Sequence, residues 1–216
     1  MEHVLVLKRD WLESAMGIGK EDVLDLCGNV LVEKMEHAGD AVSFIDRSIV
    51  EKDKSWKQLI PYIVVVSNGH MLSYSRGKGG GEERLHSLRS VGFGGHISGM
   101  DLKSEKESYS SLVDRGVDRE LYEELRIRAN VLRKVYAGLV NEEVSLVGQV
   151  HIGLLVVLEY DSTDIVRNEE DVEDLRWIHP ATLIDIEEVF STYELWSRMV
   201  LENWDKIWEY VKNVRS

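Results

Sequence analysis

The pattern of apolar and polar positions is clearest in the middle of the chain. "YIVVVS" is a β-branched run and "HMLSYSR" alternates. Asn68–Gly69 between them is a tight-turn dipeptide, so a β-hairpin is predicted from about Tyr62 to Arg76. "SVGFGGHIS" reads as a short strand ending in close-approach backbone. From 108 to 126 the period changes. Val113, Val117, Leu121 and Leu125 recur at four-residue steps, which predicts a helix. "VLRKVYAGLV" and "QVHIGLLVVLEY" predict two further strands. The second is apolar at almost every position after Gly153, as expected of a central strand covered on both faces.

The ends of the chain are less regular. "HVLVLKRDWL" predicts a short strand turning into a loop or helix, "VLDLCGNVLVEKMEHA" has helical spacing, and "SFIDRSIVEKDKSW" reads as a polar connection. "DSTDIVRNEEDVEDL" reads as a solvated acidic loop. "RWIHPATLIDI" predicts a short strand with Pro180 near a helix start. Near the C-terminus, Trp196, Val200, Trp204, Ile207, Trp208 and Val211 form an apolar stripe at helical spacing, suited to core packing or a dimer contact. With no internal repeat, the expected organisation is a single domain over 1–216. A core spans about 60–190, an N-terminal extension covers 1–59, and a C-terminal helix covers about 192–212.

Composition narrows the function classes. A chain of 216 residues with 44% hydrophobic residues can bury a sizeable core. Its formal net charge of −13 repels polyphosphate backbones and anionic lipid, so neither nucleic acid nor a membrane is an expected partner. Cys27 is the single cysteine, set among apolar residues as a buried thiol, so no intrachain disulfide or cysteine-rich metal site can form. No signal pattern or apolar run of membrane-spanning length is read, and the expected location is cytoplasmic.

Against this background "DRELYEELRI" stands out. Glu120, Glu123 and Glu124 share one helix face, and like charges at that spacing cost roughly 0.2–0.5 kcal/mol per pair. Arg119 lies four residues before Glu123 and can hold it. Upstream, Gly94 and Gly95 allow close backbone approach, with a carbonyl free to donate oxygen. Carboxylates facing a carbonyl suit a hard cation such as Mg²⁺.

These residues resemble the Nudix box, G-x5-E-x7-R-E-U-x-E-E-x-G-U, where U is a bulky apolar residue. Arg119, Glu120, Leu121, Glu123, Glu124 and Ile127 match its second half in register, and Gly95 matches its first glycine. There are two departures. The distance from Gly95 to Arg119 is longer than the pattern, placing an inserted loop in "KSEKESYSSL". Counting forward from Gly95 puts Asp101 at the first glutamate position, and counting back from Arg119 puts Ser111 there. Arg126 also stands where the pattern has glycine, so the helix is expected to end differently.

The resemblance, which covers roughly residues 60–190, implies a Nudix-type α/β/α sandwich with a mixed sheet, extended at both termini. It implies a metal-dependent hydrolase of a diphosphate linkage, typically in a nucleoside diphosphate joined to another group, with Mg²⁺ or Mn²⁺ as cofactor. Gly94, Glu120, Glu123 and Glu124 would be metal ligands, and Arg119 and Glu123 the catalytic pair. A non-catalytic Nudix-fold domain that binds a nucleotide is the alternative, and a homodimer is an open expectation. For a small phosphorylated substrate, Arg76, Lys78 and Arg84 around the glycine-rich "RGKGGGEERLH" are candidate contacts, with His96 beside the glycine pair. His151, on an apolar strand, reads as a core residue, and Glu142, Glu143 and Glu170 are alternative bases.

Overall fold

The computed structural model describes residues 2–77, 88–104 and 106–214. The chain begins with β1 (His3–Lys8), α1 (Arg9–Met16), β2 (Val23–Asp25), α2 (Val30–Met35), β3 (Val42–Asp46) and α3 (Arg47–Val50). The hairpin follows as β4 (Trp56–Ser67) and β5 (His70–Arg76), then β6 (Arg89–Ser90), β7 (Gly92–Phe93) and the helix α4 (Tyr109–Glu124). Next come β8 (Leu125–Ile127), β9 (Val131–Asn141), β10 (His151–Tyr160), β11 (Ile165–Arg167) and β12 (Val172–Ile178). The chain closes with α5 (Pro180–Ile184), α6 (Glu187–Phe190), α7 (Leu195–Glu202) and α8 (Trp204–Asn213).

The main sheet runs β12-β5-β4-β10-β9-β2, with β1 and β7 also paired to β4, β3 to β1, and β6 to β5. β10 lies parallel to β4 and antiparallel to β9, so the sheet is mixed. The period of two along β4 separates its faces. Leu59, Ile63 and Val65 join the core under α4, whereas Tyr62, Val64 and Val66 join the core under α7 and α8. β10 divides in the same way, with Ile152, Leu154 and Val156 on one side and Leu155 and Val157 on the other. Each fully buried aliphatic side chain contributes about 1.5–3 kcal/mol. The expected central strand and α/β/α sandwich are therefore both present. At the hairpin tip Asn68 and Gly69 have φ of 51° and 76°, the left-handed pair that an Asn-Gly turn supplies.

Several readings of the terminal regions need correction. Val23–Asp25, expected as helix, is a strand paired to β9, and helix begins only at Val30. The polar connection at 43–56 contains β3 and α3, and the acidic loop contains β11, which pairs with β8. β3 and β11 each lie at a sheet edge, and their polar faces mask the strand pattern. Residues before 60 also add β1 to the sheet beside β4, and Leu5 N–H donates to the Ile97 carbonyl at 2.8 Å. The C-terminal stripe is two helices. Asn203 leaves the helical region (φ −106°, ψ 11°) and its side-chain amide donates to the Met199 carbonyl. Ile207 and Val211 are buried, whereas Trp204 and Trp208 are partly buried and stack on each other. No described helix is long and apolar enough to cross a membrane.

Candidate functional site

The site begins where β7 ends. Gly94 has φ +146°, and a Cβ there would sit 1.8 Å from the Pro61 carbonyl oxygen, so only glycine fits. A Cβ on Gly95 would lie 2.7 Å from Glu120 Oε1, so this backbone packs directly on a carboxylate of α4. The Gly94 N–H donates to Glu124 Oε1 at 3.2 Å. The glycine pair and the α4 glutamates therefore meet, and the bond between them runs through the Gly94 amide.

Arg119 organises the cluster. Its guanidinium donates to Asp101 Oδ1 and Oδ2 at 2.8 and 3.0 Å, to Glu120 Oε1 at 2.7 Å, to Glu123 Oε2 at 2.9 Å and to the His96 carbonyl at 2.8 Å. Asp101 is itself buried and forms a capping box with Ser98. Burial alone would raise its pKa, but Arg119 and the Ser98 N–H hold the carboxyl below its usual value. The forward count from Gly95 thus finds the acid that grips Arg119, and Ser111, from the backward count, belongs to the first turn of α4. The end of α4 is also explained. Leu125 is already extended, and Asn168 donates through its side chain to the Tyr122 and Glu123 carbonyls. Asn168 N–H donates to the Glu124 carbonyl, and Arg126 Nε donates to Asn168 Oδ1. These bonds cap the helix without a glycine.

The two inner carboxyls are strained electrostatically. Burial pushes the Glu120 pKa up to about 7 against the pull of Arg119. Burial also pushes Glu124 up to about 8, with Arg76 opposing and Glu120 adding to the rise. Among the described residues, buried Glu124 Oε2 has no hydrogen-bond partner. Glu123 is different: its side chain is 47% exposed. Of the alternative bases, Glu143 is engaged by Arg9 and Lys57, Glu142 accepts from Ser145, and Glu170 is exposed.

A cavity of about 470 Å³ opens beside the glycine pair. Arg76 and His96, two of the candidate substrate contacts, line it, while Lys78 and Arg84 lie outside the described residues. Its walls also carry Arg47, Tyr62, Glu142, His151, Glu194 and Trp196, none singled out from sequence as substrate contacts. Tyr62 donates to Glu194 Oε1, which also accepts from Ser197 and caps α7, so this wall is braced by a buried polar network. Burial, followed by the Arg47 charge, pushes the His96 pKa down to about 2, so its ring is neutral. His151 is buried, as an apolar strand predicts, yet its ring lines the cavity and its Nε2 lies 3.3 Å from His96 Nε2. Among the described residues, the three acidic or imidazole ligand atoms gathered within 4.8 Å belong to Glu51, His96 and His151, not to the α4 glutamates. Glu51 carried no sequence signal, since it sits in the stretch read as a connection. Cys27 is half-buried, and burial pushes its thiol up to about 11, so it is an inert thiol.

No family model matches the chain. Protein YmaB of Bacillus subtilis (strain 168) is 32% identical over 158 residues, covering 72% of this chain and 75% of YmaB. The crystal structure of Tm1382, described as a candidate Nudix hydrolase, superposes with a TM-score of 0.72 at 24% identity. It covers 94% of this chain and 100% of Tm1382. The chain belongs to the family of Protein YmaB and shares its fold, a sandwich carrying an R-E-L-x-E-E run on α4, with Tm1382.

Proposed function

We propose that this chain is a metal-dependent hydrolase of diphosphate linkages, acting on a nucleoside diphosphate joined to a second group. The observation that carries the reading is Glu124. Its Oε2 is buried with no partner among the described residues, beside a second buried carboxyl on Glu120, and an oxygen-seeking cation would satisfy both. Glu120 and Glu124 would hold Mg²⁺ or Mn²⁺, with Glu123 and the Gly94 carbonyl as further oxygen donors. Such an ion supplies charge neutralisation on the phosphates and a more acidic bound water.

The chain's own groups do the remaining work. Arg119 fixes Glu120 and Glu123 on one guanidinium while Asp101 holds that guanidinium from behind. Glu123 keeps its outer oxygen toward solvent, placed to accept a proton from an attacking water. Arg76 and Arg47 present positive charge at the cavity wall for phosphate oxygens, and Tyr62, Trp196 and Ile60 offer apolar surface for the group beyond them.

The test is a panel of nucleotide sugars, dinucleotides and nucleoside triphosphates assayed with Mg²⁺ and with Mn²⁺, alongside thermal melts. Turnover that requires the ion, with a melting rise equivalent to about 2.7 kcal/mol at a hundredfold excess over Kd, is expected. No turnover on any member and no melting shift would refute the reading. The use of Asp101 to hold Arg119 favours a second reading, a domain that binds the nucleotide without cleaving it. Ion-dependent binding without turnover would select that one.

A further inference from the structure

Three segments far apart in sequence bring ligand atoms together beside the cavity, whose wall carries His96 and His151. Glu51 follows α3, His96 follows the glycine pair, and His151 opens β10. We propose that Glu51, His96 and His151 form a second metal site, suited to a transition-metal ion such as Zn²⁺, with its remaining position open to the cavity. This site is separate from the α4 carboxylates: the Gly94–His96 backbone turns its glycines toward Glu120 and Glu124 and its imidazole toward His151.

The spacing supports coordination. His96 Nε2 and His151 Nε2 are 3.3 Å apart, and His151 Nε2 and Glu51 Oε1 are 3.7 Å apart. Two nitrogens bound to Zn²⁺ at about 2.0–2.1 Å with a tetrahedral angle are separated by about 3.3 Å. An oxygen at about 2.1 Å from the same ion reaches the second separation with an angle of about 125°.

The orientation of His151 supports it as well. Its Nδ1 lies 2.8 Å from the Val147 carbonyl oxygen, which can only accept, so Nδ1 carries the proton. That leaves the Nε2 lone pair directed at His96 and Glu51, as a ligating imidazole requires. Glu51 is steadied by Arg47 Nε at 3.5 Å, and Arg47 is in turn paired with Glu2 at 3.0 Å. Two imidazoles and a carboxylate favour Zn²⁺ and its neighbours over Mg²⁺, whereas the all-oxygen set on α4 favours Mg²⁺ or Mn²⁺. The two sites therefore select different ions.

The test is a titration of metal-free full-length protein with Zn²⁺ by calorimetry, in millimolar Mg²⁺ to occupy the carboxylates. Co²⁺ serves as a visible-absorbing probe of four-coordinate nitrogen–oxygen sites. Wild type should bind one equivalent of Zn²⁺ at micromolar concentration. His96→Gln, Glu51→Gln and His151→Gln should each weaken it at least tenfold and remove the Co²⁺ bands, while Glu124→Gln should change it less than twofold. Circular dichroism checks folding, and if His151→Gln does not fold, His96→Gln and Glu51→Gln decide the matter. Absence of Zn²⁺ binding in wild type, wild-type affinity in His96→Gln, or loss in Glu124→Gln alone would overturn the proposal. The readout is binding, so failure here leaves the Mg²⁺-dependent hydrolysis to its own assay.

Discussion

Replacing Glu124 by Gln tests the electrostatics of the site without any substrate. In the unfolded chain this carboxyl titrates near 4.5, and in the fold it is pushed up to about 8, chiefly by burial. Between those values the folded protein keeps a proton that the unfolded chain has released. Glu124 therefore favours the fold at low pH, and that contribution is lost as pH rises toward 8, at about 1.4 kcal/mol per pH unit. From pH 5 to pH 8 the loss from this side chain is about 3–4 kcal/mol before coupling to Glu120 is considered, and about 2–3 kcal/mol is a fair working figure with it. His96 acts in the opposite direction: held neutral, it costs stability as pH falls below about 6.5. The difference between wild type and Glu124→Gln cancels that contribution. It also separates out the pH-independent cost of burying an amide whose N–H groups meet no acceptor, about 1–3 kcal/mol. In chelator-treated protein, the stability of Glu124→Gln relative to wild type should therefore improve by about 2–3 kcal/mol between pH 5 and pH 8. This corresponds to about 4–12 °C of relative melting temperature for a chain this size. Urea unfolding at pH 5, 6, 7 and 8 measures it. A difference that stays constant across that range would show that the carboxyl is not held protonated by burial, and would remove the electrostatic basis of the proposed metal site.

Three further substitutions probe how the site is held. Asp101→Asn should lower stability by about 2–3 kcal/mol by weakening the buried grip on Arg119, and unchanged urea melts would contradict that role. Gly95→Ala sets a methyl group 2.7 Å from Glu120 Oε1. The carboxylate, a flexible side-chain end, should move aside, leaving melting within a few degrees but cutting Mg²⁺-dependent turnover at least tenfold, and turnover within twofold of wild type would refute it. Glu143→Gln deprives Lys57, which is 1% exposed, and Arg9 of their shared carboxylate. A loss of about 3 kcal/mol or more is expected on chemical denaturation, because an unpaired buried ammonium is left behind, and a loss below 1 kcal/mol would mean Lys57 is not kept charged.

Periodicity alone revealed the frame of this molecule. The hairpin, the central strand and α4 each repeat a local rule over enough residues to be read without tertiary information. The Asn-Gly turn is likewise a property of two residues. The α4 glutamates and Arg119 were legible because helical spacing places them on one face whatever surrounds the helix. The short elements β2, β3, α3 and β11 were not legible. Each is a few residues long, and the three strands are stabilised by pairing with partners that local sequence does not name. The terminal stripe has helical spacing on both sides of Asn203, so its pattern does not mark the break. Tertiary structure also decided what surrounds each charged group. Asp101 could be counted to but not understood until Arg119 was seen resting on it. Glu120 and Glu124 differ from Glu123 through burial, which sets their pKa values and depends on what the sheet and glycine loop place over them. Glu51, His96 and His151 share no spacing at all. Only the meeting of a loop, a strand end and a helix end brings their ligand atoms within 4.8 Å. Such convergence is decided by how the whole sheet is paired, which no single stretch of sequence encodes.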